Sequence, residues 1–206
     1  MDRKEPTPSE DPIHGASTSS TSPHGGDSGG GTQKPKGNDH DVFLSSVCPM
    51  WSTLFDDLRH GLVIAGIDTF CSKDNADEWI PYILPQCKIS IPIFERGFVN
   101  DKSGLRELVH MWKCKRSSGQ IVLPIFDEVG PLEVQLLEGE SIEEFSRLEG
   151  RVDEMELGEW RKALAEVGSL RGWEAEKFAY GKKGALVELV VARVVSLLKT
   201  TFKHPT

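Results

Sequence analysis

Two seven-residue runs, "KISIPIF" (88–94) and "QIVLPIF" (120–126), constrain the fold of this chain more than any other feature. Both are strongly apolar runs rich in β-branched residues and too short for an ordinary helix, so they predict buried strands. Between them Leu105, Leu108, Val109 and Trp112 recur at i, i+3, i+4 and i+7, one apolar stripe of a helix. Strand, helix and strand at this spacing predict a parallel sheet with helices on both faces. Each run also carries a proline near its centre, Pro92 or Pro124. A proline removes one ladder donor, which predicts that both strands lie at sheet edges.

The same reading extends in both directions. "DVFLSSV" (41–47) is a short apolar run that predicts the opening strand. Leu54, Leu58 and Leu62 predict an amphipathic helix over 51–64 that stops near Gly66, and "GIDTF" (66–70) predicts a second strand. Pro81 and Pro85 limit any helix around them to a turn or two. Helices are predicted over 141–151, 157–167 and 184–202, with "LRGW" (170–173) as a fifth short strand. The last helix, "ALVELVVARVVSLLKTTF", is apolar around much of its circumference and is predicted to be largely buried.

Residues 1–39 are dominated by Ser, Thr, Gly and Pro and have Met1 and Ile13 as their only large apolar side chains. Such a segment cannot bury enough surface to fold, so a disordered tail is predicted before a domain over 40–202. No apolar run of signal-peptide or membrane-span length is present, which predicts a cytoplasmic protein, with the nucleus as a second compartment and no membrane partner. Cys48, Cys71, Cys87 and Cys114 form no C-x-x-C pair and read as buried, reduced thiols, with no metal site. The net charge is −8, and the stretch from Asp127 to Glu159 holds twelve acidic residues against only Arg147 and Arg151. An acidic lobe argues against nucleic acid as the main partner, because phosphates need a basic face.

In this order and spacing, "HDVFLSS", "GIDTF", "CKISIPIFERGFVNDKSGLREL", "IVLPIFDEVGPLEV" and "WRKALAEVGSLRGW" resemble the plant Toll/interleukin-1 receptor (TIR) domains that open flax rust-resistance-type nucleotide-binding leucine-rich-repeat immune receptors. The resemblance implies a flavodoxin-like α/β sandwich of three layers with a five-stranded parallel sheet. It also implies association with other TIR domains and, in many members, cleavage of NAD. NAD is then a substrate, with no permanently bound cofactor. The glutamate of the family's Leu-x-Glu-Leu motif falls on Glu107, which the resemblance makes the catalytic residue. Beside a ribose, such a carboxylate stabilises the positive charge that develops as nicotinamide leaves. Helical periodicity alone gives Glu107 a different place, on the outer, solvated face of its helix.

Two functions stay open on this reading. One is an adaptor or regulatory module in plant innate immunity that works through TIR–TIR contacts; the other is an NAD nucleosidase using Glu107. The loop "SVCPMWS" lacks the arginines of the plant pattern, the loop after Phe70 is shorter, and Lys102-Ser103-Gly104-Leu105 replaces the aromatic and cysteine before the glutamate. Those departures favour the adaptor, since a lone carboxylate does not replace a preorganised pocket. Association is expected through the first helix, around Asp56, Asp57 and His60, and through the helices of the acidic lobe. His60 reads as a surface histidine and His110 as a helix neighbour of Glu107. Trp160 and Trp173 read as core. No G-x-x-x-x-G-K-[ST] loop is present, which reads as a TIR-only or truncated product.

Overall fold

The predicted strand after the tail forms as β1 (Val42–Val47), and every one of its side chains is buried. In the computed structural model, residues 40–47, 53–72, 77–178 and 182–202 are described. The tail predicted over 1–39 and Cys48 lie outside them. After β1 come α1 (Thr53–Ile64), β2 (Thr69–Cys71), the single turn α2 (Ile80–Ile83), β3 (Ile89–Phe94) and α3 (Lys102–Ser118). The remainder is β4 (Ile121–Val122), β5 (Ile125–Phe126), α4 (Pro131–Leu136), α5 (Glu140–Ser146), α6 (Glu154–Gly168), β6 (Trp173–Glu174) and α7 (Lys183–Thr201).

All pairings are parallel, in the order β2-β1-β3-β5-β6, with β4 also on β3. Among the described residues the sheet counts six strands where five were predicted, because the run 120–126 forms as two short pieces, β4 and β5, on either side of Leu123 and Pro124. The edge prediction fails for β3, which is flanked by β1 on one side and by β4 and β5 on the other, and for β5, which lies between β3 and β6. Residues of a parallel strand bond alternately to its two neighbours. Leu123 N–H donates to Ser90 O at 2.9 Å and Asp127 N–H to Phe94 O at 2.8 Å, so Pro92 also faces the β4–β5 side. Its missing donor falls where the ladder is interrupted. Pro124, whose carbonyl accepts from Trp173 N–H at 3.1 Å, faces β6, which begins only at Trp173. A central proline is tolerated here because the neighbouring strand breaks opposite it.

Alternation along the strands separates two cores. Phe43, Val47, Phe94 and Phe126 pack with Leu105, Leu108, Trp160 and Leu164 of α3 and α6. On the opposite face Val42, Leu44, Ile91 and Ile93 pack with Leu58 and Leu62 of α1 and Val190 and Val194 of α7. The predicted burial of α7 is not met: only Leu186, Val190 and Val194 are fully buried, and Leu189 is exposed. The helix lies on α1 by one face, where Gly61 admits Val187 and Val191 so closely that an added Cβ would sit 3.1 Å from each. Its apolar circumference therefore exceeds the surface that covers it.

Candidate functional site at the carboxyl rim of the sheet

The start of α3 is fixed by two residues. Asp101 caps the helix by accepting the Gly104 N–H at 3.0 Å, satisfying one of the first-turn donors. Gly104 lies against the end of β1, where an added Cβ would stand 3.0 Å from Val47 Cγ1 and 3.1 Å from Val47 Cα. One helical turn on, the same face carries Glu107. Its side chain is 5% exposed, and the fully buried Ser45 hydroxyl donates to Glu107 Oε2 at 2.5 Å.

The solvated position that periodicity predicts for Glu107 is thus corrected. Helix α3 is covered by β1 on one side and α6 on another, so its buried arc takes in Gly104, Glu107, Leu108 and Met111 as well as Leu105 and Val109. Arg106 and Lys113 reach across to Glu156 and Glu159 of α6 at 2.7 Å and 2.8 Å. Trp112, counted in the predicted stripe, is half-buried, with the Arg116 guanidinium over its ring. A single apolar stripe describes a helix covered on one side; α3 is covered on two.

Beyond the other face of the sheet the same rim gathers different groups. Asp127, 3% exposed at the end of β5, accepts from Lys183 Nζ at 2.6 Å at the start of α7. Burial pulls the Lys183 ammonium down, but the Asp127 hydrogen bond and the charges of Asp127, Glu128 and Glu95 outweigh it and raise it above the ordinary lysine value. Ser46, next to Ser45 on β1, is 4% exposed, and among the described residues neither its Oγ nor Glu95 Oε1, just past β3, has a hydrogen-bond partner. Sequence reasoning passed over all of these residues. The signal available was "SS" inside an apolar strand, where two hydroxyls must each find a partner.

The remaining candidates are dispersed. Asp56, Asp57 and His60 lie exposed on α1, away from any buried cluster. His110 is half-buried, and burial together with Lys113 holds its imidazole below the usual value despite an opposing push from Glu159. Trp160 is core and Trp173 packs half-buried against the α1–α7 side. Cys71, Cys87 and Cys114 are buried cysteines. A surface depression of about 340 Å³ is lined by Arg96, Glu128, Glu133, Glu138, Glu140 and Glu144, without Glu107. Its charge repels phosphate, so it does not serve an anionic nucleotide. Among the described residues no group of three His, Cys, Asp or Glu could hold a metal, and no helix is long and apolar enough to cross a membrane.

Comparison with known proteins agrees with this geometry. In Arabidopsis thaliana, the probable disease resistance protein RPP1 is 28% identical over 169 residues, covering 78% of this chain and 14% of the relative. Disease resistance protein RPP5 of the same plant is 31% identical over 144 residues, covering 65% of this chain and 10% of the relative. The chain thus spans a small part of the length of these relatives. A solved structure of the TIR domains of the activated Roq1 resistosome, which directly recognizes the pathogen effector XopQ, superposes with a TM-score of 0.70 at 22% identity. It covers 75% of this chain and 99% of the other and shows the same fold. With the TIR domain family model matching residues 39–205, the chain belongs to the TIR domain family.

Proposed function

We propose that this protein is a signalling module of plant innate immunity that acts by associating with other TIR domains, as an adaptor or regulator. The observation that carries the reading is an apolar pair inside the acidic lobe. Leu132 and Leu136, one turn apart on α4, are 60% and 54% exposed, with Ile142 of α5 also exposed. Apolar side chains rimmed by charge are the usual composition of a protein–protein contact. The plant relatives are disease resistance proteins, and the TIR domains of Roq1 occur within an assembled resistosome. The working compartment on this reading is the cytoplasm, with the nucleus as the second site.

Sedimentation of the full chain over a wide concentration range, alone and mixed with the RPP1 TIR domain, tests this. Self-association or a mixed complex that Leu132→Glu and Leu136→Glu weaken is expected. A strict monomer that binds no TIR domain refutes the reading.

A second reading, NAD cleavage, draws on one specific observation: a carboxylate oriented by a buried hydroxyl near the rim where parallel sheets bind ligands. In that chemistry Glu107 would stabilise the cationic ribose as nicotinamide departs. Following nicotinamide release with Glu107→Gln, which keeps the side-chain shape, separates the two readings. Release that Glu107→Gln abolishes supports cleavage; no release from an associated wild-type sample leaves association as the function.

A further inference from the structure

The back of α4 is seated firmly and its front is bare. Val134 is fully buried, and Gly168 of α6 admits the Gln135 backbone so closely that an added Cβ would stand 2.7 Å from Gln135 N. Glu128 and Leu137, the non-glycine residues with left-handed φ among those described, at 63° and 52°, bracket the helix. Such conformations persist only where the surrounding fold fixes them, so α4 is preformed, with little left to order on binding. Its outer edge carries Leu132 and Leu136, one turn apart and exposed. Apolar surface left in water on a rigid element is surface for a partner to cover.

The surroundings of the pair decide which partner. Glu133, three residues before Leu136, lines a depression of about 340 Å³ bounded by α4 and α5. Glu128, Glu138, Glu140 and Glu144 line it too, against one guanidinium among the described residues, that of Arg96, 4.0 Å from Glu128. Five carboxylates and one cation make this face strongly negative. Phosphates and the anionic headgroups of a membrane are repelled by it. The carboxylates are also too dispersed to chelate an ion, since no group of three ligating side chains among the described residues could hold a metal.

A second copy of the chain fits no better. Docked face to face about a twofold axis, it would set the same glutamates against themselves. Like charges brought opposite each other act against association, whereas a complementary surface favours it. The depression is at the small end of ligand pockets in volume and suits one long side chain.

We propose that the α4–α5 face docks a basic segment of a different protein. A Lys or Arg side chain of that segment enters the depression among Glu133, Glu138, Glu140 and Glu144, and an apolar neighbour lies on Leu132 and Leu136. This docking mode rests on the association reading for its surface and narrows the occupant to an unlike, basic chain.

Fluorescence anisotropy of the full chain with a labelled amphipathic helical peptide, leucines at i and i+4 flanked by arginines, tests the assignment. The arginine peptide should bind roughly tenfold tighter than the same peptide with glutamates in place of arginines, and than an isomer with its leucines scrambled. Raising salt from about 50 to about 300 mM should weaken it severalfold, because exposed charges are screened. Glu138→Lys with Glu140→Lys, both at exposed positions, should cost roughly tenfold and Leu136→Ser severalfold, while Glu188→Lys on α7 should change nothing. Absence of peptide binding, equal affinity for the three peptides, or binding that survives the paired lysine substitutions overturns the assignment. So does self-association of the chain that both Leu136→Ser and the paired substitutions abolish, since a second copy then occupies the face. Association with the RPP1 TIR domain that persists when the peptide fails leaves the association reading standing alone. Peptide binding in the expected pattern by a chain that associates with no TIR domain fails that reading and keeps the docking face.

Discussion

Ser45 and Ser46 are neighbours on one strand and both are buried, yet they live in different chemistry. Ser45 points toward α3 and gives its proton to Glu107 at 2.5 Å; Ser46 points toward α1 and α7 and meets no acceptor among the described residues. The alternation of a strand is the whole cause: one residue of offset moves a side chain from one core to the other. On the α3 side a glycine lets a helix come close enough to deliver a carboxylate. On the other side two rim charges, Asp127 and Lys183, are already paired to each other. Polarity inside a core is stable where a partner is brought to it.

The sharpest way to break the comparison is Glu107→Ala. It strips a buried hydroxyl of its acceptor and leaves space beneath α3, a combined loss of about 2–4 kcal/mol, read as a melting temperature lower by several degrees. Ser45→Ala removes the same bond from the other end with little change in volume and is expected to cost about 1–2 kcal/mol in a denaturant titration. On the far side Lys183→Met should cost about 1 kcal/mol, discounted because the Lys183 side chain is 39% exposed. The Lys183 ammonium is raised on folding, so its contribution is complete below the ordinary lysine value and is lost as pH climbs through the raised one. Stability of the wild type should therefore fall toward that of Lys183→Met in strongly alkaline buffer, and parallel curves would contradict the pairing. Ser46→Ala closes the series: with no partner to lose among the described residues, the protein should change by no more than about 0.5 kcal/mol.

The two central strands were legible because they are strongly apolar runs of strand length. Val42–Val47 and Ile89–Phe94 lie within a residue of their predicted bounds. What was not legible depended on coverage rather than on pattern. Pro92 reads as an edge proline until the break opposite it is known, and α7 reads as largely buried because its sequence does not say that only one side meets α1. The α4 helix, opened by Pro131 and only six residues long, falls below what periodicity detects. At the rim, Glu107 was singled out by a motif, while its burial followed from Gly104, whose meaning appears only when Val47 is beside it. Glu95, Asp127 and Lys183 are far apart in the chain and carry no motif, so nothing short of the fold assembles them.

The buried thiols give the molecule a chemical clock. Burial, with Asp68, Cys114 and Asp41 adding to it, pushes the Cys87 thiol up to about 12, and desolvation raises Cys114 as well. Only the thiolate reacts with an alkylating reagent, so at neutral pH both sulfurs are silent while the domain is closed. They become reactive when β3 or α3 separates from the core and water reaches them. The rate of their alkylation in the native protein consequently counts openings of the same strand–helix unit that holds Glu107, and an excess of reagent converts that count into an opening rate.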